Sequence, residues 1–425
     1  MHELPKANDV CDFLLSPNAD KKTIYLDILK KGVELRNGGN YLDAEMMLHY
    51  SSWLNPSDWQ SWYELGVLYQ VKKNIDQAVF YYKAALKCGS VEQRLIGNFL
   101  CVTAVQESLC KINNKAIDTI DLGGVVLDDS DDIKDAFSFS GFVESHPQSL
   151  INKFYNVVNS KHNGFLNFYD IKNKILDAVD RKKSFALLRL GDGEGSWFKR
   201  SSHVELQFER ILSRNRCEFL DIWFGNSSSI KKSDFFDDVN STFSRLNEVD
   251  VLGIPPKTWV EHEFYTANKR GYVGTLGALE SLKGLSSSVG LCTQLMHFEF
   301  ERRGFLKEVL SKAKKVGIIS CHNELKEFIE KNFDVNDVEL IKIPGELSRK
   351  HLLGDDAVVG NHYPDRFFEI TKRIKNTNYE GYVFLVAGGI LAKSYVLDLK
   401  QSGAIALDIG SVADKLLGRK TRPNF

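Results

Sequence analysis

Phe185-Ala-Leu-Leu-Arg189-Leu-Gly191-Asp192-Gly193-Glu194-Gly195 decides how this chain is read. Phe185–Leu190 is an apolar run of strand length, and it breaks into a turn with glycine at alternate positions. Such glycines permit a tight turn and close approach of a ligand to the backbone. Asp192 and Glu194 stand two apart, so in extended chain their carboxylates project the same way. Two hard oxygen ligands suit Mg²⁺ or Mn²⁺ held jointly with a diphosphate. Arg189 is placed to contact a phosphate or to order the carboxylates. On residues alone the turn admits three readings: a metal–nucleotide site, a dinucleotide or S-adenosylmethionine turn, and an acidic surface turn with no function.

Outward from this turn, strand-length apolar runs recur at Val251–Ile254, Val316–Ser320, Val338–Ile343, Tyr382–Val386 and Ala404–Leu407. Helical stretches lie between them, among them Gln294–Ala313, Glu324–Asn332, Asp365–Lys375 and Leu391–Gln401. Alternation of this kind predicts an α/β fold with a mainly parallel sheet covered on both faces. Ligands of such sheets sit beyond the carboxyl ends of the strands. Asp170 is a plausible N-cap for a helix running to about Arg181.

The front of the chain reads differently. Over residues 20–120 it is a series of amphipathic helices. Trp62-Tyr-Glu-Leu65-Gly66-Val-Leu-Tyr69 fits the W-x2-L-G-x2-Y opening of a tetratricopeptide repeat, with Ala78, Tyr82 and Ala85 at its small and aromatic positions. One period of about 34 residues earlier, Gly32 falls in register with Gly66, Ala44 with Ala78 and Leu48 with Tyr82. A third helical pair through Asn98–Ile117 is expected as a cap. Residues 121–169, with Asp121-Leu-Gly-Gly and then Asp128-Asp129-Ser-Asp131-Asp132, read as a solvated linker and connecting segment, and residues 170–425 as the α/β domain.

Composition removes whole classes of function. The 425 residues are 43% hydrophobic and 11% aromatic, which excludes wholesale disorder. Fifty-five basic against 56 acidic side chains leave no chain-wide attraction to nucleic acid or acidic membranes. No run reaches the roughly 18 apolar residues of a membrane span, and the start lacks a secretory pattern. Seven scattered cysteines without a C-x-x-C pair fit free thiols in a reducing compartment. A cytoplasmic location is expected, with a peripheral place at the inner face of the membrane also open.

Two segments together resemble one family. Phe185–Glu194 is similar to the R-[FY]-G-D-G-E signature of GT-D-type glycosyltransferases, with Leu190 where the signature prefers an aromatic. Tyr382-Val-Phe-Leu-Val-Ala-Gly388-Gly389-Ile-Leu-Ala-Lys393, followed by Ala406-Leu-Asp408-Ile-Gly410-Ser411, resembles the strand–Gly-turn–helix–A-L-D-I-G ending. Ser411 stands where members often carry His. The resemblance covers approximately Asp170–Arg422. It implies a Rossmann-like sheet and a metal-dependent transferase of hexosyl type, using Mn²⁺ or Mg²⁺ on Asp192 and Glu194. Its donor is a nucleotide sugar, commonly a UDP-sugar, and its acceptor a glycan, glycolipid or glycoprotein in bacterial surface glycan or protein glycosylation. The repeats are expected to recruit an acceptor or a partner protein.

On this reading Arg189, Gly191, Gly193, Gly388, Gly389, Lys393, Gly410 and Ser411 bind the nucleotide sugar. Main-chain N–H groups after Gly388 and Gly389 meet a phosphate or ribose, and Lys393 adds charge or is merely solvated. Asp408 binds a ribose hydroxyl, accepts an acceptor proton or caps the following turn; Ser411 caps Val412–Leu417. Glu346, reached from a strand through Pro-Gly, is the candidate general base, with His351 and His362 as alternatives. Two other classes remain: an S-adenosylmethionine-dependent methyltransferase using Gly191–Gly195, and a non-catalytic repeat scaffold.

Overall fold

Seven short strands make one wholly parallel sheet: β1 (Phe185–Arg189), β2 (Val251–Ile254), β3 (Gly290–Thr293), β4 (Lys315–Ser320), β5 (Glu339–Lys342), β6 (Tyr382–Val386) and β7 (Ile405–Asp408). Their spatial order is β3-β2-β1-β7-β6-β4-β5. The computed structural model describes residues 21–90, 92–112, 130–225, 228, 230–313 and 315–421. Every residue of β2 and β7 is buried, as are the first four of β1. Continuous burial of this kind needs cover on both faces, which is why these strands read as unbroken apolar runs and not as alternating ones. Val251, Leu187, Leu407, Val383, Leu385 and Ile318 share one core cluster with the helices Phe168–Asp180 and Phe305–Lys312.

The path of the chain positions the site. From β1 it steps outward through β2 to β3, then crosses to the other half of the sheet for β4 and β5. It returns through β6 and β7, which closes against β1, with Leu187 opposite Leu407. Strand order therefore reverses about β1 and β7, and a crevice opens beyond their carboxyl ends.

Six of the seven strands fall where the apolar runs predict them. β3 was not expected: Gly290-Leu-Cys-Thr is only four residues long and opens on glycine. The expected helix Gln294–Ala313 is two helices, Met296–Arg302 and Phe305–Lys312, broken at Gly304 with φ +67°. The expected N-cap Asp170 is instead the third helical residue. Asn167 caps the helix Phe168–Asp180, and the Asp170 carboxylate accepts from the Asn167 N–H to complete a capping box.

By contact density the chain divides into two units, Met1–Gln148 with His262–Asn268, and Ser149–Glu261 with Lys269–Phe425. Among the described residues the first is built of helices: Lys21–Asn37, Tyr41–Leu54, Trp59–Val71, Ile75–Lys87, Gln93–Ile112 and Asp131–Ser145. Its packing follows the expected period. A Cβ on Gly66 would run into the Tyr82 ring, and one on Gly32 into the Leu48 side chain, so the two glycines face equivalent partners in successive hairpins. Tyr69 stacks on Tyr81 at 5.1 Å and its hydroxyl donates to Glu45.

The segment read as a linker holds two helices, Asp131–Ser145 and Gln148–His162. Ser130 caps the first, whose acidic first turn, Asp131 and Asp132, suits the helix dipole. Asp128 and Asp129 lie outside the described residues, as do residues 113–117 of the expected third pair. No helix among the described residues is long and apolar enough to cross a membrane.

Candidate active site at the carboxyl ends of the strands

One cavity of about 420 Å³ opens in the crevice. Twelve residues selected from the sequence line it: Arg189, Gly191, Asp192, Gly193, Glu194, Glu346, Gly388, Gly389, Lys393, Asp408, Gly410 and Ser411. They come from the ends of β1, β5, β6 and β7, which is the reason the topology brings them together. A volume in the few-hundred Å³ range suits a small organic ligand.

The base of the cavity is a buried charge network. Arg189 Nη2 lies 3.1 Å from Asp408 Oδ1, and its Nε donates to the Asp408 carbonyl at 3.1 Å. Arg189 Nη1 donates to the Gln294 carbonyl at 3.1 Å and lies 3.0 Å from His297 Nδ1. Lys393 Nζ sits 2.5 Å from Asp408 Oδ2 and 3.1 Å from Glu194 Oε1. The Lys393 and Asp408 side chains are 3% and 1% exposed, so neither is a solvated surface group. Burial alone would raise the Asp408 pKa, but Arg189 and Lys393 outweigh it and hold the carboxyl below its ordinary value. Asp408 is thus the counter-ion of two cations and not a turn cap. Ser411 occupies the N-cap position of Val412–Leu416 yet makes no capping bond with its side chain.

The acidic turn departs from the extended geometry expected of it. Residues Asp192–Trp197 form a short helix, so two positions no longer share a face. Glu194 folds back, its Oε2 accepting from the Gly191 N–H at 2.9 Å while Oε1 faces Lys393. Asp192 stands apart at the first helical position. Burial, and after it the Glu194 charge, push its carboxyl above the ordinary value of 3.8.

The glycines of this turn serve packing. A Cβ on Gly195 would overlap the backbone of Gly274 and Ala278, and one on Gly274 would overlap the backbone of Asp192. The helix Lys269–Glu280 therefore presses directly on the turn. Gly193 lies under Trp223, and Gly410, at φ +48°, lies against the Arg189 guanidinium.

A divalent ion on Asp192 and Glu194 is what the resemblance implies, and Glu194 as placed does not fit it. Both oxygens of Glu194 are committed, one to a main-chain N–H and one to the Lys393 ammonium. Nor does the second acidic group nearby offer a site. Cys321, His322 and Asp414 cluster within 4.8 Å, but His322 Nε2 is bonded to Asp414 at 2.7 Å and its Nδ1 accepts from Arg419 at 2.8 Å. Burial pushes the Cys321 thiol up to about 12.

No family model, curated protein or solved structure matches this chain.

The candidate bases separate on geometry. Glu346 lines the cavity and is paired with Arg349 at 2.6 Å. His362 also lines it, but its Nε2 is 3.0 Å from the Tyr395 hydroxyl and burial drives its pKa down to about 3, so it stays neutral. His351 is exposed and is not among the residues lining the cavity. Sequence reading missed the aromatic wall: Trp223, stacked on Phe219 at 5.2 Å, lies beside Gly193 and Gly389. It also missed Arg270, which lies over the Phe219 ring at 5.4 Å. Neither belongs to a strand end, so the rule that selected the other residues passes over them. His322 was within reach of that rule, two residues beyond the correctly expected end of β4.

Proposed function

We propose that this chain is a glycosyltransferase that takes a hexosyl group from a nucleotide-sugar donor, a UDP-sugar in the first instance. Its acceptor is a glycan, glycolipid or glycoprotein on the cytoplasmic side of the membrane. The observation that carries the reading is convergence: two sequence segments about two hundred residues apart line one cavity, and their charged side chains bond to one another.

In this reading Arg189 and Lys393 supply positive charge at the cavity base, where a leaving diphosphate develops negative charge. Asp408 fixes both cations so that little reorganisation is needed as the sugar–phosphate bond breaks. Trp223 and Phe219 offer aromatic surface to a base or sugar. Glu346, at the cavity wall, takes the proton from the acceptor hydroxyl. The helical unit, read as tetratricopeptide-like repeats, recruits the acceptor or a partner protein.

The methyltransferase alternative needs a glycine turn open to a cofactor and an acid for the ribose hydroxyls after the second strand. Here Gly195 is filled by the backbone of Gly274, and β2 ends in Ile254-Pro255-Pro256. Both facts favour the transferase of sugars. A thermal-shift screen of nucleotide sugars, with and without Mn²⁺, tests the proposal. A rise in melting temperature with UDP-sugars supports it, and no shift with any nucleotide contradicts it.

A further inference from the structure

We propose that the Lys393 ammonium takes the place of a divalent cation between Glu194 and Asp408, so that this site holds its anionic ligand with protein cations alone. The inference concerns a site where a metal would otherwise be sought. As far as the ligand is a nucleoside diphosphate, it rests on the function proposed above.

The atoms argue for it directly. Lys393 Nζ lies 3.1 Å from Glu194 Oε1 and 2.5 Å from Asp408 Oδ2, bridging two carboxylates from opposite ends of the domain sequence. Their other oxygens are also taken: Glu194 Oε2 by the Gly191 N–H and Asp408 Oδ1 by Arg189. Mg²⁺ demands close to six oxygens at about 2.0–2.1 Å, and each oxygen of this pair already has a donor, so a metal between them would have to displace the ammonium.

Charge balance points the same way. Glu194 and Asp408 carry two negative charges, and Lys393 and Arg189 two positive ones. A divalent ion would add two further positive charges beside Arg189, or would have to expel a lysine whose side chain is 3% exposed. An ammonium has three N–H donors, and the two carboxylates account for two of them. Lys393 lines the cavity, so the third is placed for a ligand oxygen. Arg270, on the cavity wall beside Asp192 and 3.5 Å from Glu218, stands at the other side of the turn.

Titration calorimetry of the full chain with MnCl₂ alone is the test. The wild type should show no stoichiometric Mn²⁺ site. Lys393→Met, which keeps length and removes charge, should acquire one, and Lys393→Met combined with Glu194→Gln should lose it again. Stoichiometric Mn²⁺ binding by the wild type that disappears in Glu194→Gln overturns the proposal, as does a folded Lys393→Met that binds no Mn²⁺. Should Lys393→Met fail to fold, UDP titration of the wild type decides. Equal affinity in EDTA and in Mn²⁺ supports the proposal, and a gain of about tenfold or more with Mn²⁺ overturns it. If UDP binds in neither condition the proposed function fails instead, while the Mn²⁺ titration of the wild type still rules on Lys393.

Discussion

Arg189 and Asp408 stand 219 positions apart and meet at 3.1 Å where two neighbouring parallel strands, β1 and β7, end. Lys393 closes the same network from the helix Ala392–Gln401, so one buried carboxylate balances two cations. Removing one member of a buried ionic group leaves the others uncompensated, at a cost of about 3–5 kcal/mol. Asp408→Asn, which preserves shape, should therefore lower unfolding free energy by about that much in urea denaturation. A change within about 0.5 kcal/mol would show that the network contributes nothing to the fold.

Two aspartates near the cavity should respond to pH in opposite senses. The Asp408 carboxyl is held below 3.8, so the stability it contributes is present above its unfolded value and is lost as pH falls through the lower folded value. Asp192 is raised above 3.8, so ionising it costs stability at neutral pH and nothing once both states are protonated. Asp192→Asn should accordingly be more stable than wild type at neutral pH, with the advantage shrinking as pH falls through the raised value. Urea melts across that range measure it. A variant less stable than wild type at neutral pH refutes the sign.

The contact of the acidic turn with the helix Lys269–Glu280 runs through glycine. Gly274→Ala forces a methyl group into the backbone of Asp192, which cannot move without the site moving. Overpacking of this kind costs roughly 1–3 kcal/mol or more. Gly284→Ala, with nothing within 4 Å of the added carbon, is the internal control and should leave stability nearly unchanged. Comparable losses in both variants, by thermal unfolding, would contradict the packing argument.

Within the helical unit, equivalent glycines should not be equally sensitive. Gly66→Ala meets the ring of Tyr82, which is fully buried and also bonded through its hydroxyl to Gln70 at 2.6 Å. Gly32→Ala meets Cδ2 and Cγ of Leu48, an aliphatic side chain with other rotamers available. Gly66→Ala should be the more destabilising of the two. The reverse order in paired melts would show that the Tyr82 site relaxes more easily than the Leu48 site.

Much of this architecture was legible because burial writes itself into sequence. The runs at β1, β2, β4, β6 and β7 are apolar because both sheet faces are covered, and the Gly32/Gly66 register is visible because close helix approach excludes side chains. β3 was hidden: two apolar residues between Gly290 and Thr293 carry no periodicity. The directions of Asp192 and Glu194 were hidden for another reason. Whether a glycine-rich turn continues as strand or opens a helix is settled by what packs on it, here Gly274 and Ala278 from eighty residues downstream. Lys393 could be counted as a charge but not as a buried one, because its partners Glu194 and Asp408 meet only through the strand order.

On the proposed function, the cavity beyond β1 and β7 binds a nucleotide sugar. Titration calorimetry of the full chain with UDP, with UDP-sugars and with S-adenosylmethionine tests it most directly. Saturable binding of UDP and of at least one UDP-sugar is expected, at one per chain, weakened in Arg189→Ala, with no binding of the methyl donor. Saturable binding of S-adenosylmethionine, or of none of these ligands, would contradict it.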